Sequence, residues 1–362
     1  MKIIDQFRHK ELAASLVRQI HQEAKGDYTF MEVCGGHTMA IQQFGIPSLL
    51  PPGIRLLSGP GCPVCVTARN YVDEAILLAE RTGVLLATYG DLLRVPGSKG
   101  SLEQSRAEGA LVRVIYSPLD VLKLARENPH LQVIFLAIGF ETTAPGNGIA
   151  LMEAQNQGLK NFFMLSAQKV MPPAMQAVVQ EGSGVQGFIC PGHVSTITGS
   201  GIFEFLPRDY GIACVISGFE PVDLLLSILL LIRQINHSQP RIEVQYARAV
   251  KPEGNLKAQA VIDRAFDLTP SWWRGFGTIS DSGLAPKPSL ADWDAQRVFD
   301  IQFQEKEDEG LCRCADILRG SAKPFECPLF GLDCTPANPI GACMVSPEGA
   351  CAASYKYQNY GR

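Results

Sequence analysis

The stretch IRLLSGPGCPVCVTARNYVDEAILLAERT, residues 54–82, contains the unit from which the fold is predicted. Ile54–Ser58 has the composition of a short buried strand, and Val66–Thr82 carries apolar residues at helical spacing before it stops at Gly83. Cys62 and Cys65 lie in the turn between the two segments. A strand that leads through a turn into a helix is typical of a parallel sheet covered by helices.

The same alternation of short apolar runs and helical stretches continues along most of the chain. The predicted strands are Phe30–Val33, Ile54–Ser58, Val84–Thr88, Leu111–Tyr116, Val133–Ile138, Phe162–Ser166, Phe188–Cys190, Cys214–Ser217 and Ile242–Tyr246. Helices predicted between them include Pro118–Glu127, Gly148–Gln157 and Pro172–Gln180. The pattern predicts an α/β protein with two doubly wound, mainly parallel-sheet α/β domains plus a small cysteine-rich region.

Changes in composition give the predicted boundaries. We expect one α/β domain at residues 30–138, a second at 139–248, and a third region formed by residues 1–29 together with 249–362. Beyond about residue 250 the chain is rich in Gly, Pro and Cys and shows little periodicity, so it needs a staple to hold a fixed shape. The N-terminal helix is expected to pack on this third region, because the α/β series begins only after it.

Composition and charge exclude several classes of protein. With 362 residues, 46% of them apolar and 19% charged, the chain is expected to fold around more than one core. The net charge of −4, without a Lys/Arg stripe interleaved with aromatics, gives no support to a nucleic-acid partner. The most apolar run, Leu224–Ile232, is far short of the ~20 residues needed to cross a bilayer. We therefore expect a cytoplasmic protein without a membrane partner.

Most of the unusual loops follow a predicted strand. They are CGGHT (34–38), GPGCPVC (59–65), YGDLLRVPG (89–97), GFETTAPG (139–146), PGHVS (191–195) and GFEPVD (218–223). Ligands of open α/β sheets bind at the carboxyl ends of the strands. One such edge, or two edges facing each other across a cleft, would gather Cys34, His37, Cys62, Cys65, Asp91, Glu141, Thr142, His193 and Glu220. Each loop alone is equally compatible with a turn or a helix cap.

Two of these loops carry thiols with more than one chemical interpretation. Cys62 and Cys65 suit a redox dithiol, half of a zinc site, or a holder for another metal, and their place before a helix favours a thiolate. Cys34 and His37 suit iron, zinc or copper, or alternatively a Cys–His nucleophile pair. No Walker A, HExxH or GxSxG sequence supports a nucleotide-binding, zincin or serine-hydrolase function.

Six of the eleven cysteines lie in the C-terminal tail, with no histidine between them. They are Cys312, Cys314, Cys327, Cys334, Cys343 and Cys351. All-sulfur ligation indicates zinc or an iron–sulfur cluster, and the long gaps favour a [4Fe–4S] cluster over the paired knuckles of zinc sites. Phe325, Phe330 and Tyr355 are expected to shield the cluster from water. Of the two remaining cysteines, Cys214 is interpreted as a core residue and Cys190 stays ambiguous.

Taken together, CGGHT, GPGCPVC, GFETTAP, PGHVS, GFEP and the run CPLFGLDCTPANPIGACMVSPEGACAA (327–353) resemble the HypD family of [NiFe]-hydrogenase maturation proteins. The resemblance extends from residue 1 to about residue 355. It implies two α/β domains and an iron–sulfur region built from both chain ends. It also implies a scaffold, shared with the small chaperone HypC, on which the Fe(CN)2CO group is assembled with cyanide from HypE.

The resemblance assigns roles to individual residues. The family spacing C-x14-C-x6-C-x16-C fits Cys312, Cys327, Cys334 and Cys351 as ligands of the [4Fe–4S] cluster, with Cys314 and Cys343 as spare thiols. It implies that Cys62–Cys65 is a redox-active dithiol to which the cluster relays electrons. It also implies that Cys34 binds the transient Fe(CN)2CO iron. His37 would orient the Cys34 thiolate or donate a hydrogen bond to bound cyanide. The alternative function is an iron–sulfur-dependent thiol-disulfide reductase, which has no need for CGGHT.

Overall fold

Eleven strands form the framework of the protein, for which a computed structural model describes residues 7–303 and 310–357. The strands are β1 (Tyr28–Glu32), β2 (Ile54–Ser58), β3 (Val84–Thr88), β4 (Val112–Val114), β5 (Gln132–Gly139), β6 (Phe162–Gln168), β7 (Gly187–Pro191), β8 (Ala213–Ser217), β9 (Ile242–Val244), β10 (Phe266–Trp273) and β11 (Gly277–Pro286). All nine strands predicted from the sequence are present, most within two residues of the predicted bounds.

Helices connect the strands and cover the sheets. They are α1 (Lys10–Glu23), α2 (Gly35–Gln43), α3 (Ile46–Leu49), α4 (Pro63–Val66), α5 (Arg69–Ala79), α6 (Leu102–Ala107), α7 (Pro118–Glu127), α8 (Ala144–Asn156), α9 (Met171–Gln180), α10 (Gly192–Thr198), α11 (Phe205–Tyr210), α12 (Pro221–Asn236), α13 (Leu256–Ala265), α14 (Ala295–Val298), α15 (Cys314–Leu318) and α16 (Ala350–Tyr357). Short 3-10 turns include Ala342–Met344 in the tail.

The strands form two parallel sheets and one hairpin. The first sheet has the order β2-β1-β7-β8-β9 and the second the order β4-β3-β5-β6, and every pair within them is parallel. The third unit is the antiparallel hairpin β10–β11. The α/β class with two parallel sheets and a cysteine-rich C-terminal region is therefore confirmed.

The predicted boundary at residues 138/139 does not separate the two sheets, which is a correction. The first sheet takes β1 and β2 from before this boundary and β7–β9 from after it, whereas β3–β6 form the second sheet as one insertion. Hydrophobic periodicity reveals where strands lie but carries no information about which strand is the hydrogen-bonded neighbour. The alternation of strands and helices looks the same whichever sheet each strand joins.

The third region also differs from the prediction. Helix α1 packs on α12, where Arg233 forms an ion pair of 2.7 Å with Glu23, and no helix of the tail among the described residues packs on it to a comparable extent. The hairpin β10–β11 lies beside the second sheet, since Val170 N–H, just after β6, donates to Ser282 O at 3.0 Å. The apolar face of α1 therefore packs into the hydrophobic core on the outer side of the first sheet. Only the tail forms the separate cysteine-rich part.

One continuous core joins the inner sides of both sheets to the tail. It contains Leu86 and Ile134 from the second sheet, Ile216 from the first, and Cys343 from the tail, all fully buried. The run Leu224–Ile232 lies within α12, as a largely buried helix. Over the described parts of the chain, no helix combines the length and apolarity that crossing a bilayer requires.

Candidate functional site

Cys34 lies at the junction between β1 and α2, where it occupies the position before the first helical residue. The residue keeps some surface exposure, and backbone N–H groups of His37 and Gly36 point at its sulfur. Burial of the sulfur, followed by the nearby carboxylate of Glu348, raises the pKa of Cys34 to about 12. The free thiol is therefore protonated at neutral pH, and a bound metal cation would have to displace that proton.

Glu32 holds the Cys34 loop through two hydrogen bonds, and the sequence analysis did not predict this residue as part of the site. Its Oε2 accepts a hydrogen bond of 3.0 Å from Cys34 N–H, and its Oε1 accepts one from the Thr38 hydroxyl. Burial raises the pKa of Glu32 to about 7. A glutamate at the end of the otherwise apolar strand FMEV was the signal available in the sequence. The Thr38 side chain is therefore a hydrogen-bond donor to Glu32, while its backbone is part of α2.

His37 and His193 stack on the same aromatic ring. Their ring centroids lie 4.5 Å and 3.9 Å from that of Phe219, which belongs to the GFEP loop after β8. His193 is exposed, whereas His37 is fully buried. The loops that follow β1, β7 and β8 therefore meet at Phe219, as the strand-end pattern predicts for neighbouring parallel strands.

The contacts of His37 fix which of its nitrogens carries the proton. Nε2 lies 3.2 Å and 3.0 Å from the carbonyl oxygens of Ser217 and Gly218, which can only accept hydrogen bonds. Nε2 is therefore the donor, and Nδ1 is a buried lone pair without a partner among the described residues. Burial lowers the pKa of His37 to about 4, so the ring is neutral at pH 7. Its only N–H is already engaged, which argues against the predicted hydrogen bond to cyanide.

Cys62 and Cys65 are joined by a disulfide, with their Cα atoms 5.2 Å apart. Cys62 precedes α4, and its sulfur accepts a hydrogen bond of 3.2 Å from Cys65 N–H. Both residues are buried, with exposures of 3% and 0%. Their turn lies against the Cys34 loop, since a Cβ at Gly61 would be 2.1 Å from Cys34 N and no larger residue fits there. The two cysteine-bearing loops are thus in direct contact.

Five tail cysteines line one small cavity together with Phe330 and Met344. They are Cys312, Cys314, Cys327, Cys334 and Cys351. The sulfur of Cys343 is not part of this lining; its N–H donates to Cys314 Sγ at 3.4 Å. The four cysteines selected by the family spacing therefore line one space, and Cys314 lines the same space.

The donor side chains that line this cavity are cysteines, a set that suits zinc or an iron–sulfur cluster. Within residues 7–303 and 310–357, no three His, Cys, Asp or Glu side chains are arranged around one metal-ion position. A cubane takes one thiolate at each iron, so its ligands surround a wider space than those of a mononuclear site. The cavity measures about 10 Å³, so the loops would have to separate to admit a cluster. Phe330 and Tyr355 contact each other there, whereas Phe325 is 49% exposed and lines a different cavity.

The tail lies against both the loop that contains Cys34 and the turn that contains Cys62 and Cys65. Helix α16 packs on α2, and the turn Ala342–Met344 packs on α4. Gly35 makes the first contact possible, because a Cβ at this position would lie 2.5 Å from Glu348 Cβ. The tail therefore brings its cysteine cavity near the turn that contains Cys62 and Cys65, and Glu348 near Cys34.

The remaining predicted residues do not all join this group. The strand-end residues of the second sheet are Asp91, Glu141 and Thr142. Asp91 is exposed and acts on Glu348, raising its pKa after the larger effect of burial. Glu141 is buried and accepts a hydrogen bond of 2.8 Å from Met171 N–H, and Thr142 is exposed. Glu220 caps α12 and pairs with Arg8, which is a structural role.

Comparison with known proteins identifies clear relatives. The family model HypD, described as "Hydrogenase formation hypA family", matches residues 11–358. The chain is 48% identical to the hydrogenase maturation factor HypD of Azotobacter vinelandii over 367 residues, which is 99% of this chain and 97% of that protein. It is 40% identical to the hydrogenase maturation factor HypD of Escherichia coli (strain K12) over 367 residues, which is 99% and 98% of the two chains.

Proposed function

The chain belongs to the HypD family of hydrogenase maturation factors, and we propose that it is the scaffold on which the Fe(CN)2CO group of [NiFe] hydrogenase is assembled. In this proposal it acts with a HypC-type small chaperone and receives cyanide from a HypE-type donor. The observation that carries the proposal is the contact of one tail with both thiol loops, at Gly35 and at α4. The many free thiols suit a reducing compartment such as the cytoplasm.

Cys34 is the proposed ligand of the iron under construction, which is the cargo of the protein. Cys34 retains partial surface exposure as a residue, and its loop also carries His37, whose buried Nδ1 has no partner among the described residues. Fe(II) is low in the Irving–Williams order, so one thiolate holds it weakly. A cysteine from the small chaperone would supply the missing affinity while the iron stays transferable.

Cys312, Cys327, Cys334 and Cys351 are the proposed ligands of a [4Fe–4S] cluster, with Cys314 and Cys343 as spare thiols. The common cavity of these four residues and its apolar lining support a cluster there, whereas Cys314 lines the same cavity and is assigned as spare by the family spacing alone. When bound, the cluster supplies single electrons. Reduction of the Cys62–Cys65 disulfide to two thiols would require two electrons, delivered one at a time, and two protons, and the contact between the tail and α4 brings the four cysteines near this pair.

The test is the infrared spectrum of the protein purified together with its two partners. Metal-bound CN and CO absorb where protein does not, so the wild-type complex should show both sets of bands. Cys34→Ala should lose them while the visible absorbance of the tail cluster stays. Cys214→Ala, which changes a buried thiol within β8, is the matched control and should keep the bands. Bands that persist in Cys34→Ala would place the iron at another residue.

A general thiol-disulfide reductase is the alternative, and the burial of Cys62 and Cys65 counts against it. Exchange with a protein substrate requires a thiolate that can approach the substrate sulfur in line. An assay with an unrelated disulfide-bonded protein separates the two functions, because the reductase would keep its activity in Cys34→Ala.

A further inference from the structure

Lys169 is a buried lysine, 2% exposed, directly after β6. Its Nζ donates hydrogen bonds to Ser271 Oγ at 2.7 Å and to Trp272 O at 2.8 Å, and it lies 5.1 Å from the ring centroid of Trp273. All of these partners are neutral, and no carboxylate pairs with the ammonium group in the part of the chain that the structure describes. A buried charge without a counter-charge is costly, and a bound anion would remove that cost.

The lysine lines a cavity of about 220 Å³ between the hairpin β10–β11 and β6. No residue of this cavity belongs to the cysteine cavity of the tail. Sites for drug-sized ligands measure roughly 300–1,000 Å³ and combine apolar walls with a few polar groups, so this one suits a smaller molecule. Hydroxyl groups and aromatic rings form part of the lining: Ser166, Thr269, Ser271, Tyr71, Trp272 and Phe303.

The start of α5 adds a second feature that favours an anion. Ala68, Asn70 and Tyr71 belong to the lining of the same cavity. Ala68 immediately precedes α5 and provides no side-chain cap, and the first turn of the helix contains no acidic residue. The positive end of a helix dipole attracts negative charge. It therefore acts in the same direction as the Lys169 ammonium group.

The other titratable groups of the lining limit the charge of the ligand. Asp294 carries the one carboxyl group among the described residues of this lining, and its Oδ1 accepts a hydrogen bond of 3.0 Å from Gln296 N–H at the start of α14. The Tyr71 hydroxyl donates to a backbone carbonyl of β6 at 2.8 Å. One ammonium group in a cavity that also contains a carboxyl group suits a monoanion better than a phosphate dianion.

We propose that this cavity binds a small organic monocarboxylate, whose carboxylate pairs with Lys169 Nζ and whose apolar part lies against Trp272 and Phe303. The inference goes beyond the scaffold function and does not depend on it. A purely structural Lys169, which only joins β6 to β10, predicts no ligand whose binding depends on the charge of this residue.

The test is a saturation-transfer NMR titration of the full-length protein with propionate at constant ionic strength and pH 6. Propionamide keeps the shape without the charge and should bind at least tenfold more weakly. Acetate should displace propionate, whereas the same concentration of inorganic phosphate or chloride should not. Lys169→Met removes the ammonium group and should weaken propionate binding at least tenfold. Lys160→Met is the matched control, because Lys160 also lies over a tryptophan ring, 5.8 Å from the centroid of Trp293, but does not line the cavity; it should stay within twofold of wild type.

The pH dependence of the wild-type protein is a second measurement, which decides the question if Lys169→Met does not fold. Burial lowers the pKa of Lys169 to about 7, so the free site loses its ammonium group as the pH rises through 7. Propionate binding should fall about tenfold between pH 6 and pH 8. Burial raises the pKa of Asp294, whose ionisation would weaken anion binding in the same direction. Asp294→Asn, which keeps a helix-capping side chain, should therefore retain the fall.

Several results would overturn the inference. They are the absence of a propionate signal from the wild-type protein, equal binding of propionamide, displacement by phosphate or chloride as strong as by acetate, and binding within twofold of wild type in Lys169→Met. Binding that stays constant from pH 6 to pH 8, or a fall that disappears in Asp294→Asn, would also overturn the role of the Lys169 charge. The titration uses neither partner proteins nor iron, so none of these results bears on the scaffold function.

Discussion

Glu141 is a buried carboxyl group whose Oε2 has no hydrogen-bond partner among residues 7–303 and 310–357. Burial raises its pKa from the ordinary value of 4.5 to about 7. The folded protein therefore keeps this proton where the unfolded chain has lost it, so the stability present below pH 4.5 is lost as the pH rises through about 7. Glu141→Gln keeps an acceptor for Met171 N–H and removes the titration. Between about pH 5 and pH 8 its free energy of unfolding should fall less than that of wild type, by on the order of 2 kcal/mol in urea titrations.

Glu108→Gln is the control, because Glu108 is exposed at the end of α6. It should reproduce the pH dependence of wild type. Equal slopes for Glu141→Gln and wild type would mean that Glu141 is ionised in the folded protein at neutral pH.

At the scale of single residues, the sequence drew attention to the candidate thiols and not to the residues that contact them. Cys34 and the Cys62–Cys65 pair stand out by residue type and by their position after strands. Glu32, Phe219 and Arg274 do not, because each works through a contact that only the fold creates. Arg274 Nε donates a hydrogen bond of 3.0 Å to Cys65 O across 209 positions in the chain, and no local pattern links them.

Helix α2 meets the tail at Gly35, and this contact can be tested by one added methyl group. Alanine stabilises a helix over glycine by roughly 0.5–1 kcal/mol, so propensity alone predicts that Gly35→Ala gains stability. The added Cβ would, however, lie 2.5 Å from Glu348 Cβ, an atom that no rotamer change can move away. Overpacking of this kind costs about 1–3 kcal/mol. We therefore expect a net loss in the free energy of unfolding, measured in urea.

Two further variants identify the cause of that loss. Gly26→Ala adds the same group where no atom lies within 4 Å, and it should change stability by no more than about 0.5 kcal/mol. Glu348→Gly in the Gly35→Ala background removes the opposing Cβ and should restore part of the lost stability, as a double-mutant cycle would reveal. A stabilised Gly35→Ala would contradict the close approach of the tail to α2.

At the scale of elements, the sequence predicted those whose signals are local. Helix Pro118–Glu127 has the predicted bounds, because Ser117 caps it and its apolar spacing is regular. The predicted helix from Val66 is instead interrupted at Thr67 and Ala68. There Arg274 donates hydrogen bonds to backbone carbonyls at the end of α4. The hairpin β10–β11 was not predicted. Its Gly- and Pro-containing strands depend on contacts with β6, such as the 2.6 Å hydrogen bond from Ser166 Oγ to Leu284 O.

At the scale of the whole molecule, the arrangement of the strands explains why one site receives residues from so much of the chain. The chain leaves the first sheet after β2, builds the second sheet, and returns to the first at β7. The loops of Cys34, Cys62 and His193 consequently belong to one sheet although they are far apart in sequence. The tail then closes over α2 and α4 and joins the two sheets in one core. None of this is contained in periodicity, which is why the predicted boundary at 138/139 needed correction.

Because the tail contacts both sheets, a cluster bound there should stabilise the entire protein by linkage. Anaerobically purified protein should carry about four irons and four sulfides per chain and melt at a higher temperature than protein stripped by a chelator. Replacing any one of the four proposed ligands by serine should remove both the visible absorbance and the gain in Tm; these ligands are Cys312, Cys327, Cys334 and Cys351. Cys343→Ser should keep both, because this buried sulfur lies outside the cavity lining. Stoichiometric zinc without acid-labile sulfide, or an equal loss in Cys343→Ser, would contradict the proposed ligand set.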